Sequence, residues 1–343
     1  MPNPPSSSWK EVVPADEGPR LERHARALRD LQVARAADGR PARALHAKGF
    51  GVTGDLEILG DLPEHLRQGL FAAPAKHRCY VRYSNGAGKK QADGAGDVRG
   101  VAIKVLGVSG KKIIPGLESA TTQDLLFIRT PSIPFRDPDE FVGFVLAMRS
   151  PALALPRMIC ALGLLRFLGL VGPLSRSVGA PFTSVATADY HTALPVRFGP
   201  FAAKLSLLPR AENGAAPAVA ESHPHALSRD LAQRLTKAPV AYDLTVQLFR
   251  DEASTPIEDP TVTWSEDDAP REKVGVLTLP VQDADSERGK GIAARIDGLS
   301  FDPWHALEAH RPLGAIMRAR NVAYRLSTEA RHASAEPEGS EIA

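Results

Sequence analysis

One tyrosine near the end of the chain is spaced to share a helical face with two arginines. In the stretch RARNVAYRLSTEARH, residues 318–332, Arg320 stands four residues before Tyr324 and Arg331 stands seven residues after it. Positions four and seven apart lie on the same side of an α-helix, which has about 3.6 residues per turn. The spacing therefore places two permanent cations beside one phenol, although a solvated helix face can show the same pattern by chance.

A second group of polar residues lies in the first 130 positions. RALHAKGFG places Arg43 three residues before His46, RYSN carries Arg82 and Ser84, and QDLLFIRTPSIPFRD contains Arg129. A histidine can exchange protons near neutral pH, and the fork of donors on an arginine matches a carboxylate. The sequence therefore holds one candidate acid–base group and several candidate anion-binding groups.

The glycines after His46 have the spacing of a nucleotide-binding motif. GFGVTG matches G-x-G-x-x-G at Gly49, Gly51 and Gly54. Binding of a dinucleotide requires a strand before these glycines and a helix after them, but the alternating DLEIL that follows is typical of a strand. We interpret the glycines as points where the backbone passes close to a bulky group. A nucleotide-dependent oxidoreductase is the remote alternative.

Short strand patterns and longer helical patterns divide the chain. Helical patterns occupy residues 18–39, the segment DPDEFVGFVLAMRS and the stretch from 303 to 332, and Asp137 is a candidate N-cap before Pro138. The strand patterns are GDLEIL, CYVRYSN, VRGVAIKVLG, QDLLFIRT, VRFGPFAAKLSLLP, AYDLTVQLFRD and REKVGVLTLPV. Consecutive strands flanked by helices predict an α+β fold, an antiparallel β-barrel with helices packed around it. We expect a flexible arm over 1–20, one domain over 21–332 and a disordered tail over 333–343.

Residues 151–179 form the most apolar stretch of the chain. Pro156, Arg157 and Arg166 interrupt it, so it falls short of the ~18 uninterrupted apolar residues typical of a membrane-spanning helix. Two interpretations stay open, a buried helix pair and an interfacial amphipathic segment over 151–174 that contacts a membrane peripherally. The second would suit an enzyme with fatty acyl substrates.

Bulk properties exclude several classes of protein. With 343 residues and 43% hydrophobic content, the chain can bury a large core, and its formal charge of +2 gives no footprint for nucleic acid. Cys79 and Cys160 match no metal-binding spacing and imply no disulfide framework. The start, MPNPPSSSWKEVVPADEG, lacks the apolar segment of a signal peptide, so we expect a cytoplasmic, reducing setting.

Taken in order, several motifs resemble the catalase superfamily, in particular its short, catalase-related bacterial members. They are HAKGFG, RYS, RGVAIK, FRDPDEF and the Arg-x-x-x-Tyr pair, and the resemblance covers most of residues 40–145 and 300–332. It implies a catalase-like domain that binds haem b, with the phenolate of Tyr324 as the proximal ligand of ferric iron. Arg320 would help to keep that phenol ionised. Arg43, Arg82 and Arg331 match arginines that face the haem propionates.

The same resemblance assigns roles on the distal side of the haem. His46 matches the acid–base histidine that moves a proton between the two oxygens of peroxide, and Ser84 is its candidate hydrogen-bond partner. Arg129 falls where the family has an asparagine. An arginine there could stabilise a leaving hydroxide, which predicts weak catalase activity and peroxidase- or peroxygenase-like behaviour. The alternatives are that Arg129 points away or binds a substrate carboxylate.

The resemblance predicts a haem-dependent oxidoreductase that uses hydrogen peroxide or an organic or fatty acid hydroperoxide. Two alternatives remain, an isomerase of fatty acid hydroperoxides and a non-catalytic haem-binding or sensing protein. The chain is shorter than a full catalase, so we expect a more open haem pocket that admits larger substrates. The short N-terminal arm favours a monomer or a homodimer over an intertwined tetramer.

Overall fold

The computed structural model describes residues 3–35, 43–149, 151–179, 182–219 and 223–338. The α-helices in these residues are α1 (Glu17–Ala34), α2 (Pro138–Ala147), α3 (Pro151–Leu162), α4 (Leu164–Gly179), α5 (Ala226–Leu235), α6 (Glu287–Gly298) and α7 (Ala315–Arg331). The strands are β1 (Gly49–Ile58), β2 (Ala75–Asn85), β3 (Arg99–Leu106), β4 (Thr122–Ile128), β5 (Tyr190–His191), β6 (Val196–Phe198), β7 (Phe201–Pro209), β8 (Val240–Leu248) and β9 (Glu272–Leu279).

The strands form one antiparallel sheet that closes into a barrel. Their order is β5-β4-β3-β2-β1-β9-β8-β7-β6, and β5 also pairs with β7. His191 of β5 is opposite Ile128 of β4, and Tyr190 is opposite Leu207 of β7. Eight strands therefore close the barrel and β6 extends the sheet beside β7, which confirms the predicted antiparallel barrel with flanking helices.

Alternate residues of β1 to β4 point to opposite sides of the barrel wall. Val81, Ile103, Leu125 and Phe127 belong to the large apolar cluster inside the barrel. Arg82 and its register neighbours lie on the outer side, where α6 packs across β1 and β2. The candidate site is built on this outer face.

Helices cover the barrel from outside. α1 packs along α7, and α2 contacts α1, α3 and α7. The predicted N-cap is confirmed, because the Asp137 Oδ1 accepts the backbone N–H of Glu140 at 2.9 Å and Pro138 is the first helical residue. The helical stretch predicted from 303 begins only at Ala315, since Gly314 has φ +88°, a conformation that a helix cannot continue through.

The arm predicted to be flexible over 1–20 is bound to the barrel from residue 3 onward. The Ser6 N–H donates to the carbonyl of Phe249, and the Trp9 Nε1 donates to the carbonyl of Pro200, both at 2.9 Å. Glu11 forms an ion pair with Arg318 at 2.7 Å. These contacts join residues that are far apart in the sequence, so the Pro- and Ser-rich composition of the arm could not predict them. Residues 1–2 lie outside the described residues.

The first six residues of the predicted disordered tail also have fixed contacts. The Ser334 N–H donates to the Gly298 carbonyl at 3.0 Å, and Glu336 lies 2.8 Å from the Nζ of Lys104. Lys104 is fully buried and also pairs with the fully buried Asp124 at 2.7 Å. The tail thus completes a buried ion cluster on the outer face of the barrel. Residues 339–343 lie outside the described residues.

We expect Glu336→Gln to lower the free energy of unfolding by about 1–2 kcal/mol. Removing one partner of a buried ion pair costs about 3–5 kcal/mol, but Lys104 keeps Asp124 here, which reduces the loss. Urea unfolding of the purified protein measures the change. Glu338→Gln, a change of the same kind at an exposed position two residues further on, is the control. Equal stabilities of the two variants would contradict the cluster's role.

Candidate active site

Tyr324 and Arg320 are in direct contact on α7. The Arg320 Nη2 donates to the Tyr324 Oη at 2.8 Å, and the guanidinium carbon lies 5.0 Å from the centroid of the phenol ring. The Arg320 Nη1 lies 3.6 Å from the Met317 Sδ, one turn earlier. A charged donor held on the phenol oxygen stabilises negative charge there, as an oxygen ligand of a ferric ion requires.

Three arginines from distant parts of the chain converge on the end of α6. The Arg82 Nη2 and the Arg43 Nη1 lie 3.0 and 3.1 Å from the Asp297 Oδ1. The Arg43 Nη2 and the Arg331 Nη2 donate to the carbonyl of Leu299 at 2.7 and 3.0 Å. Arg43 and Arg82 therefore share the Asp297 carboxylate, and Arg331 joins them through backbone carbonyls at the same helix end. We define Arg43, Arg82 and Arg331 as the arginine cluster.

The charges in the arginine cluster are unbalanced. Burial, with repulsion from Arg82 and Arg331, lowers the pKa of Arg43 to about 8, and burial also lowers the pKa of Arg82 and of Arg331. Burial acts to raise the pKa of Asp297, but the charges of Arg82 and Arg43 outweigh it and leave that pKa below its ordinary value. Three guanidinium groups against one carboxylate leave two positive charges, which an anion carrying two negative charges would balance.

His46 is held in a fixed orientation beside the arginine cluster. Its Nδ1 forms a 2.9 Å hydrogen bond with the Ser84 Oγ, and its carbonyl accepts from the Arg82 Nη2 at 3.2 Å. Its backbone adopts φ +57°, which is uncommon for residues other than glycine. A Cβ at position 100 would lie 3.2 Å from the ring carbon Cε1 of His46, so Gly100 leaves room for the imidazole.

The imidazole of His46 is neutral over the physiological range of pH. Burial, followed by repulsion from Arg82, Arg320 and Arg43, lowers its pKa to about 3. The effect of Arg320 also shows that His46 and the Arg320–Tyr324 pair lie within electrostatic reach of each other. A base and a candidate iron ligand, which are 278 positions apart in the sequence, therefore belong to one site.

Arg129 lies on the other side of the barrel wall from His46. Its backbone N–H donates to the carbonyl of Arg99 at 2.9 Å, and its guanidinium carbon lies 5.0 Å from the ring centroid of Phe182. It follows Phe127 by two residues and shares that residue's side, the barrel interior, whereas the His46 ring abuts Gly100 on the outer side. The geometry does not support the predicted distal partnership and favours the alternative in which Arg129 points away.

One residue of the site was not predicted from the sequence, and one motif was interpreted correctly. Asp297 was missed, although a carboxylate in the last turn of a helix is unfavourable to the helix dipole and therefore indicates a cationic partner. The glycine motif lies within β1 and accommodates bulky neighbours. A Cβ at Gly49 would lie 2.5 Å from the Arg82 guanidinium carbon, and one at Gly51 would lie 2.6 Å from Ile296. The G-x-G spacing therefore serves close packing, as expected, and lies within a strand with no helix directly after it.

The donor set fits a haem better than a bare metal ion. Among the residues that the structure describes, no group of three or more His, Cys, Asp or Glu side chains is placed to hold a metal ion. The site instead offers one phenol oxygen for a ferric ion, an excess of two positive charges for two propionates, and a neutral imidazole as a base.

Comparisons with known proteins place the chain in a family. The family model described as Catalase matches residues 16–157. The catalase-related peroxidase of Mycolicibacterium paratuberculosis (strain ATCC BAA-968 / K-10) is 32% identical over 308 residues, which are 84% of this chain and 88% of that protein. The catalase-like protein of Staphylococcus aureus is 31% identical over 111 residues, 32% of this chain and 22% of that protein.

Solved structures show the same fold. A fungal catalase superposes with a TM-score of 0.67 at 19% identity, covering 100% of this chain and 67% of that chain. Catalase A from Saccharomyces cerevisiae superposes with a TM-score of 0.67 at 17% identity, covering 89% of this chain and 63% of that chain. This chain thus spans about two thirds of the length of these catalases.

The chain belongs to the catalase superfamily. It is accordingly a catalase-like oxidoreductase that handles peroxide, and the family implies a haem cofactor.

Proposed function

We propose that this protein is a haem b-dependent peroxidase that reduces hydrogen peroxide and organic hydroperoxides, including those of fatty acids. One observation carries the proposal. Arg43 and Arg82 pair with the carboxylate of Asp297, and Arg331 donates to the backbone carbonyls of Gly298 and Leu299 at the same helix end. Arg43, Arg82 and Arg320 all lower the pKa of His46, so this cluster and the Arg320–Tyr324 pair belong to one site. Two haem propionates would supply the two negative charges that this cluster lacks.

Each residue of the site has a defined task in holding the cofactor. The Tyr324 Oη would ligate the ferric iron, and the Arg320 Nη2, which donates to it at 2.8 Å, would stabilise negative charge on that oxygen. The arginine cluster would bind the propionates through charge-assisted hydrogen bonds. When bound, the haem supplies the iron at which peroxide is reduced.

His46 carries the proton in this proposal. With its Nδ1–H donated to the Ser84 Oγ, its Nε2 holds a free lone pair that accepts a proton from one peroxide oxygen and returns it to the other. The low pKa of His46 keeps the imidazole in its base form. Propionates on Arg43 and Arg82 would offset part of the repulsion that lowers this pKa. The pKa would then rise toward its ordinary value, so that the protonated ring forms more readily during turnover.

Two observations favour a peroxidase acting on larger substrates over a catalase specific for hydrogen peroxide. The relative that matches along most of this chain is named a catalase-related peroxidase. The structure also exposes an apolar helix pair, α3 and α4, beside α2, a surface suited to fatty acyl chains. The position of Arg129 gives no support, since it lies away from His46.

We expect Arg331→Gln to weaken haem binding by about ten- to hundredfold, the usual range for residues that support a metal site. The change removes one guanidinium from the arginine cluster and leaves Tyr324 in place. Titration of the haem-free protein with hemin, followed by absorbance, measures the affinity. Arg325→Gln is the matched control on the same helix, because Arg325 is half exposed and pairs with Glu22 at 3.4 Å. If both variants bind haem as tightly as the unchanged protein, the propionate assignment is wrong.

Product analysis tests the reaction itself. The haem-loaded protein is incubated with a fatty acid hydroperoxide, with and without an added one-electron donor. A peroxidase consumes the donor and yields the alcohol. Conversion without donor to a product isomeric with the hydroperoxide would instead establish an isomerase, and no conversion under either condition would establish a haem-binding protein without this activity.

A further inference from the structure

The apolar hairpin, which we define as α3 and α4 together, exposes an unusual amount of aliphatic surface. Leu165 is 85% exposed and Leu168 is 57% exposed, and Leu153, Leu155 and Leu164 are also exposed. The inner side is anchored, because Leu170 is buried and Arg166 forms an ion pair with Glu140 of α2 at 2.6 Å. The interpretation of 151–179 as a buried helix pair is therefore wrong. Five exposed leucines on two consecutive short helices indicate an interaction site.

The shape of the apolar hairpin suits a surface rather than a span. Among the described residues, no single helix is long and apolar enough to cross a membrane. The chain bends by 120° between α3 and α4, at Gly163, which has φ +78°. Two short helices joined by such a bend can lie along a lipid surface with their apolar sides inserted at the boundary of the acyl chains.

The charged residues in the sequence of the apolar hairpin and its flanks are all arginines. Between Glu140 and Asp189 the sequence contains no acidic residue, but it contains four arginines, at 149, 157, 166 and 176. Arg149 is exposed, whereas Arg166 is paired with Glu140. Cations beside an exposed apolar surface match the phosphates of anionic lipids.

We propose that the apolar hairpin docks this protein onto an anionic lipid bilayer. Leu164, Leu165 and Leu168 insert at the acyl boundary, while the exposed Arg149 binds phosphate groups. Docking requires neither haem nor the peroxidase reaction, so it stands apart from the proposed function. If both hold, the enzyme works at the surface where hydroperoxides of membrane fatty acids form.

Sedimentation with lipid vesicles tests the docking. The full-length protein is mixed with vesicles of phosphatidylcholine alone or with about 30% phosphatidylglycerol, a level that gives a strongly anionic surface. We expect binding to the anionic vesicles, weakened by added salt. Leu165→Asp should weaken it about tenfold or more, since it removes a large apolar group and adds a repelled charge. Val219→Asp is the matched control, because Val219 is 80% exposed and lies outside the apolar hairpin.

Arg149→Gln separates the two parts of the surface. It should reduce the preference for anionic over neutral vesicles while leaving the leucines in place. Circular dichroism confirms that each variant is folded. The proposal fails if the unchanged protein binds neither kind of vesicle, or if Leu165→Asp binds as well as Val219→Asp. It also fails if no variant binds vesicles and Leu165→Asp converts a dimer to a monomer in size-exclusion chromatography, since a second copy then covers the face.

Discussion

Tyr324→Phe should remove the iron ligand, lower haem affinity by more than about a hundredfold and abolish peroxide turnover. The change deletes one oxygen and leaves the ring and the helix unaltered. Arg320 then loses the acceptor of its 2.8 Å hydrogen bond. Any haem that remains would be held by the arginine cluster alone, with an absorption spectrum unlike that of a tyrosinate-ligated ferric haem.

The measurement is a pair of optical spectra after reconstitution with hemin, one of the unchanged protein and one of Tyr324→Phe. Tyr190→Phe is the matched control. It makes the same chemical change inside the barrel, where the Tyr190 Oη donates to the Val185 carbonyl at 3.2 Å, so it should cost some stability but leave the spectrum unchanged. Identical spectra of Tyr324→Phe and the unchanged protein would overturn the ligand assignment.

The parts of the fold that depend on residues close together in the sequence were predictable. Alternation of apolar and polar residues located most of the barrel strands, and the Asp137–Pro138 pair located the start of α2. The DLEIL pattern correctly predicted a strand after the glycine motif, and that strand, β1, also includes the glycines. β5 has only Tyr190 and His191, too few residues for any period, so the strand that closes the barrel left no pattern to find.

The arrangement of charges could not be predicted, because it depends on tertiary contacts. Arg43, Arg82 and Arg331 contact the carboxylate or the backbone carbonyl of Asp297 from positions 34 to 254 residues away. No local sequence pattern predicts these contacts. Arg129 shows how sensitive such assignments are. Strand side chains alternate between faces, so a shift of one residue in the assumed register transfers a side chain from the haem side to the interior.

Replacement of His46 tests the proton-transfer step separately from haem binding. His46→Asn is the suitable variant, because the backbone at this position has φ +57° and asparagine tolerates that conformation better than alanine. We expect haem to remain bound, since His46 is not the iron ligand in this scheme. Peroxide turnover should fall by about 10²–10⁴-fold, the typical contribution of a positioned general acid–base group.

Ser84→Ala and the pH profile distinguish chemistry from a loss of structure. Ser84→Ala removes the 2.9 Å partner of the Nδ1 but keeps the imidazole, so turnover should fall far less than in His46→Asn.

Protonation of His46 removes the base, so activity should be lost as the pH falls through the pKa of His46. That pKa is about 3 without haem, and the propionates should move it toward the ordinary 6.5. If His46→Asn retains both normal turnover and the acid limb of the unchanged enzyme, another residue carries the proton.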